Sequence, residues 1–150
     1  MANKQLTKAL RQGLDEQMFY RGEELKKLDA EIFGYEWQDF SGNGDRIKQL
    51  DTGDENVTTY LYAVPKGFKF PPHIHSNNEY IVLLSGSCKY EYIENGKYEV
   101  KRMSSGDFCS FKAGVPHRFH FYEDSLCQAT YFPSMKKNVW SGELVAINKK

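Results

Sequence analysis

Three imidazoles and one carboxylate are the residues of this chain best placed to do chemistry. The stretch "GFKFPPHIHSNNEYIVLLSG", residues 67–86, holds His73 and His75, two of only four histidines, and follows them with Glu79. Side chains of a strand alternate between faces, so His73 and His75 are expected on one side with Cα atoms about 6.6 Å apart. Two imidazoles on that pitch can converge on one ion. Glu79 lies a further even step along, and a turn through "SNN" would return its carboxylate to the same point. Downstream, "AGVPHRFH" offers His117 at the start of another strand, directly after Pro116. Together these supply three neutral nitrogen donors and one oxygen donor. That set suits one divalent transition ion, Fe, Mn, Ni, Co or Zn, and does not suit Cu(I) or calcium. Register favours Glu79 as a ligand over Glu79 as a base. His120 sits an odd number of residues from His117 and is expected on the opposite face.

The elements that must position these groups are short strands. From about residue 45 onward, segments rich in Val, Ile, Thr, Tyr and Phe alternate with Gly, Pro, Asn and Asp. The expected strands are "RIKQLD", "NVTTYLYAV", "FPPHIH", "EYIVLLS", "SCKYEYIE", "KYEVKRM", "DFCSF", "HRFHFY", "LCQATYF" and "ELVAI". With no helix between them they argue for an all-β antiparallel sandwich or barrel. Asn95-Gly96 between two alternating segments predicts a hairpin with a type I′ turn. Before this body, Leu6, Leu10, Leu14 and Met18 recur every fourth residue, and Leu25 and Leu28 continue the pattern past Gly22. The organisation expected is an N-terminal helical arm over residues 1–40, helical over 5–30, and a single β-domain over 41–150.

Composition narrows the function classes. At 150 residues the chain can bury roughly 70% of its unfolded surface around a single core. Lys plus Arg and Asp plus Glu are 20 each with no basic stripe, so nucleic acid is not an expected partner. No apolar run approaches the roughly 20 residues that span a bilayer, and the charged start "MANKQLTKALRQGLDEQ" does not read as a signal peptide. A cytoplasmic location and no membrane are therefore expected. Cys88, Cys109 and Cys127 are odd in number and irregularly spaced, which predicts reduced, packed thiols.

The site residues also fall into a known pattern. Gly67, His73, His75, Glu79 and Gly86 match the first cupin motif: Gly, five residues, His-x-His, three or four residues, Glu, six residues, Gly. Gly106, Gly114 and His117 match the second motif, which runs Gly, five residues, Pro-x-Gly, two residues, His, three residues, Asn. Lys112 stands where that motif has Pro, and Phe121 where it has Asn. The chain thus resembles the cupin superfamily, as a small single-domain member. The resemblance implies a double-stranded β-helix, or jelly-roll barrel, with the metal deep inside and His73, His75, Glu79 and His117 as ligands. It also implies a homodimer, an arrangement that would cover the leucine stripe of the arm.

Strand parity extends the site. Counted from Glu79, Ile81 and Leu83 should face inward and Tyr80, Val82 and Leu84 outward; counted from His117, Phe119 and Phe121 should face inward and Arg118 and His120 outward. Ile81, Leu83, Phe119 and Phe121 are thus the expected lining of a largely apolar pocket. Either Tyr60 and Tyr62 or Leu61 and Ala63 join them. An ion with a position left for water or substrate implies a mononuclear enzyme of the dioxygenase type acting on a small organic molecule. A metal-dependent isomerase or lyase is the alternative within enzymes. A closed tetrahedral site would instead serve a binding or sensing module.

Overall fold

The structure, a computed structural model, describes residues 34–73, 75 and 77–135. The expected arm helix and the last expected strand, "ELVAI", lie outside these residues. The described chain forms ten strands: β1 (Gln38–Asp39), β2 (Arg46–Leu50), β3 (Thr58–Val64), β4 (Lys69–His73), β5 (Asn78–Ser85), β6 (Ser87–Glu94), β7 (Lys97–Ser104), β8 (Phe108–Phe111), β9 (His117–Phe121) and β10 (Ser125–Phe132). The other nine expected strands fall on β2 to β10. β1 has too few residues to show an alternating pattern and was not anticipated; it pairs with β2 just before the expected domain start.

The strands build two antiparallel sheets. One runs β1-β2-β3-β10-β5-β8 and the other β4-β9-β6-β7. From β3 to β4, β4 to β5, β5 to β6, β7 to β8, β8 to β9 and β9 to β10 the chain passes from one sheet to the other, which is how a jelly roll closes two sheets around one core. Alternation in each strand decides what enters the core. On β9 His117, Phe119 and Phe121 are buried while Arg118 and His120 are half-buried on the outer side. On β5 Glu79, Ile81 and Leu83 are buried while Tyr80 and Leu84 are exposed.

Two turn devices fix one hairpin and one corner between the sheets. Asn95 and Gly96 both take positive φ, 54° and 73°, as the type I′ turn requires, and Glu94 pairs with Lys97 across it. Gly86, between β5 and β6, has φ +102°, and a Cβ there would lie 2.1 Å from the Ser125 hydroxyl oxygen. No other residue fits that corner without displacing β10. Among the described residues no helix is long and apolar enough to cross a membrane.

Candidate metal centre

His73 and His117 are direct partners across β4 and β9, which puts their rings 4.2 Å apart. β4 ends at His73, so the pleat alone does not aim His75, as simple alternation over "FPPHIH" assumed. The His75 ring is aimed by the loop that follows: its Nδ1 lies 2.9 Å from the carbonyl of Asn77. Asn77 in turn donates through Nδ2 to the carbonyl of Pro133 at 2.7 Å, anchoring the loop beyond β10. Glu79 arrives from β5, flanked by Tyr131 of β10 and Phe111 of β8. The four side chains are all buried, and one candidate ligand atom from each lies within 4.8 Å of all the others.

The two motif loops are bonded to each other. Gly114 N–H donates to the His75 carbonyl at 2.9 Å, and Ala113 N–H donates to Asn78 Oδ1 at 2.9 Å. The turn carrying Gly114 closes without the motif's proline: Val115 N–H donates to the Lys112 carbonyl at 3.1 Å, and Gly114 takes φ +83°. Positive φ at the third position of a hydrogen-bonded turn calls for Gly, and it leaves the first position open to Lys112.

Hydrogen bonding sets the ring tautomers. A carbonyl can only accept, so His117 Nδ1, 2.8 Å from Val115 O, and His75 Nδ1 must both carry hydrogen. In the neutral ring the lone pair then sits on Nε2, facing Glu79. His117 Nε2 lies 2.9 Å and His75 Nε2 3.5 Å from Glu79 Oε1. Neither His117 Nε2 nor Glu79 Oε1 makes a well-formed hydrogen bond, although both are buried. Two lone pairs at 2.9 Å repel unless a cation or an added proton lies between them, and buried polar atoms in native proteins almost always have a partner. A divalent ion fits that gap, and the nitrogen and oxygen donor set suits it. Burial alone would raise the pKa of Glu79; positive charge on the His117 and His75 side, as an added ring proton would supply, outweighs burial and holds the carboxyl well below the usual range.

Groups around the four fix their orientation. Phe111 stacks on the His117 ring at 4.2 Å with planes 7° apart, and Phe70 packs on His73 at 4.8 Å. The fully buried Tyr131 phenol is hydrogen-bonded to Glu79; burial first, then the Glu79 charge, push its pKa well above the usual 10.0. Nothing in the sequence marked Tyr131, because β10 contains no residue whose face is known until its pairing with Glu79 is seen.

Beside the four residues lies a cavity of about 40 Å³, lined by His73 and Glu79 and by Ile47, Tyr60, Tyr62, Phe70, Ile81, Phe119, Phe121, Cys127, Ala129 and Tyr131. Of the expected lining, Ile81, Phe119 and Phe121 reach it. Leu83 does not: it is fully buried, but two residues beyond Ile81 it packs deeper in the core. Between the tyrosine and leucine alternatives on β3, the structure selects Tyr60 and Tyr62. The Tyr62 hydroxyl donates to Asp45, which also accepts from the backbone N–H and the hydroxyl of Ser41. Burial, then the Asp45 charge, raise the Tyr62 pKa well above 10.0. Outside the barrel, Arg118 donates to Glu91, and His120 stays on the outer face.

The cupin domain family matches residues 60–131, a span that contains all four residues and both motif loops. The chain belongs to the cupin superfamily. Solved cupin structures share its fold at low identity. An oxalate decarboxylase structure from Bacillus subtilis superposes with a TM-score of 0.63 at 14% identity over 73% of this cupin and 31% of that chain. KdgF from Halomonas sp. gives 0.58 at 22% identity over 69% of this cupin and 92% of that chain. A Lactobacillus farciminis oxalate decarboxylase formate complex gives 0.60 at 13%, covering 72% and 33%. This cupin therefore spans about a third of the oxalate decarboxylases and nearly all of KdgF. Comparison with curated protein sequences gives no match.

Proposed function

We propose that this cupin is a mononuclear metal-dependent enzyme of the dioxygenase type acting on a small organic molecule, with His73, His75, Glu79 and His117 as ligands of one divalent ion. The observation that carries the reading is that two of the four, His73 and Glu79, also line the apolar cavity. A site built only for structure has no need of a cavity on its open side. A bound divalent ion would supply Lewis acidity and a template for oxygen and substrate. The chain's own residues do the rest. The Asn77 and Val115 carbonyls hold the histidine tautomers, Tyr131 orients the Glu79 carboxylate, and Ile81, Phe119 and Phe121 exclude bulk water from the reacting end.

The ion-bearing site is tested by loading the protein with Mn(II) and measuring water-proton relaxation. An exchangeable water on the ion, seen as enhanced relaxation, is expected. Bound manganese without enhancement would point to a closed site and a non-catalytic binding or sensing module. A lyase or isomerase is the second reading, favoured by the oxalate decarboxylase neighbours, one of whose structures concerns the Mn(II) centres of the Bacillus subtilis protein. Turnover of small organic compounds compared in air and under nitrogen separates the two: oxygen dependence supports the dioxygenase type, and undiminished turnover under nitrogen moves the assignment to the lyase.

A cytoplasmic homodimer completes the proposal. Three free, buried cysteines suit a reducing compartment. Tyr80, Leu84 and Phe108 are exposed on the outer face of the six-stranded sheet, which suits a second copy. Light scattering should give twice the chain mass, and a monomer at every concentration would contradict it.

A further inference from the structure

Phe121 stands where the second cupin motif carries Asn. Its side chain is 2% exposed and forms one wall of the cavity, stacked on Phe119 with ring centroids 5.9 Å apart. Apart from His73, Glu79 and the neutral thiol of Cys127, the remaining wall is aromatic and aliphatic, and among the described residues no Lys or Arg lines it. The hydroxyl of Tyr62 is committed to Asp45 and that of Tyr131 to Glu79. Asp45, fully buried behind Tyr62, adds a second acid to this end of the barrel. A charged group inside the cavity would find no opposite charge, and an unpaired buried carboxylate is among the costliest groups a protein can hold. Glu79 offsets half the charge of a divalent ion, so one monoanionic head on that ion completes neutrality and a dianion exceeds it.

We propose that the cavity selects a ligand with one anionic, metal-binding head and an apolar tail, and that Phe121 is the residue that sets this preference. The inference rests on the metal centre described under the proposed function. It assigns to this chain a substrate class different from a compact dianion, because the tail meets carbon and ring edges where a second carboxylate would need a cation. With about 40 Å³ available, roughly the room of three waters, the tail is short.

The test uses the full chain loaded with Mn(II), its manganese content measured first. Butyrate and succinate are titrated against it, since they differ only in a methyl against a second carboxylate. Binding is read as loss of water-proton relaxation enhancement. Butyrate should bind about 100-fold more tightly than succinate, two factors of ten in the equilibrium constant. Phe121→Asn should narrow that ratio by about tenfold at unchanged manganese content, which is one hydrogen-bonding group offered to the second carboxylate. Phe121 N–H and C=O pair with Phe68 and Gly67 through the backbone, so the exchange leaves those bonds in place. Phe121→Leu should keep the preference of the natural chain. Succinate binding as tightly as butyrate would overturn the proposal, and an unchanged ratio in Phe121→Asn would remove Phe121 from it. Failure to bind manganese at all would overturn the metal centre and this inference with it.

Discussion

A histidine whose Nδ1 hydrogen is committed to a backbone carbonyl presents one lone pair, and its direction is set by that carbonyl. His75 and His117 are both held so, and both aim at Glu79. Strand alternation put His73 and His75 on one face, and the resemblance to the two cupin motifs implied that Glu79 and His117 join them. Neither revealed what steadies them. Tyr131 and Phe111 enter from strands whose inward face is defined only by pairing, and the Asp45 to Tyr62 bond joins a loop to a strand 17 residues away. Outer contacts of this kind tune affinity, so Tyr131→Phe should weaken metal binding by about 10- to 100-fold while leaving the fold intact. Competition against a chromophoric zinc chelator measures it. Affinity equal to that of the natural chain would mean that the phenol only fills space.

At the scale of elements, β2 to β10 were legible as short segments rich in Val, Ile, Thr, Tyr and Phe between turn formers, and Asn95-Gly96 named its own hairpin. His75 was placed correctly in space for a partly mistaken reason: β4 stops at His73, and the Asn77 loop does the aiming. The inward reach of Leu83 was overextended because parity tells which face a residue takes and not how far along the barrel the cavity runs. The sharpest test of the barrel corners is Gly86. An added Cβ meets Ser125 Oγ at 2.1 Å and the Ser125 Cα at 2.8 Å, on top of the left-handed φ. Gly86→Ala should therefore cost about 2–4 kcal/mol, against about 1–2 kcal/mol for Gly67→Ala, where φ is +84° but the space is open. Urea midpoints at unchanged m would report both, and equal losses would show that the corner relaxes freely.

The whole molecule has an interior rich in weak acids that burial keeps protonated. Desolvation pushes the Cys88 thiol up to about 12, and those of Cys109 and Cys127 higher still; the phenol of Tyr90 also rises to about 12. The sign follows directly. Below the unfolded thiol value of 9.0 both states hold their protons and these groups do not affect stability. Above it the unfolded chain releases protons that the folded chain retains, so stability falls as pH rises. Thermal melts should be level through neutral pH and drop above about pH 9, and an unchanged midpoint at about pH 11 would show that the thiols are not sequestered. An all-β barrel and its unpaired cysteines were readable from composition and pattern. The aromatic cavity was legible only in part, because three of its walls come from strands whose parity nothing in the sequence anchors. The central claim, that four residues from two motifs hold one ion, is tested most directly by elemental analysis of protein purified without added metal, alongside His75→Ala. About one transition-metal ion per chain is expected in the natural protein and almost none in the variant. Equal metal content in the two, or none in the natural protein, would contradict the account.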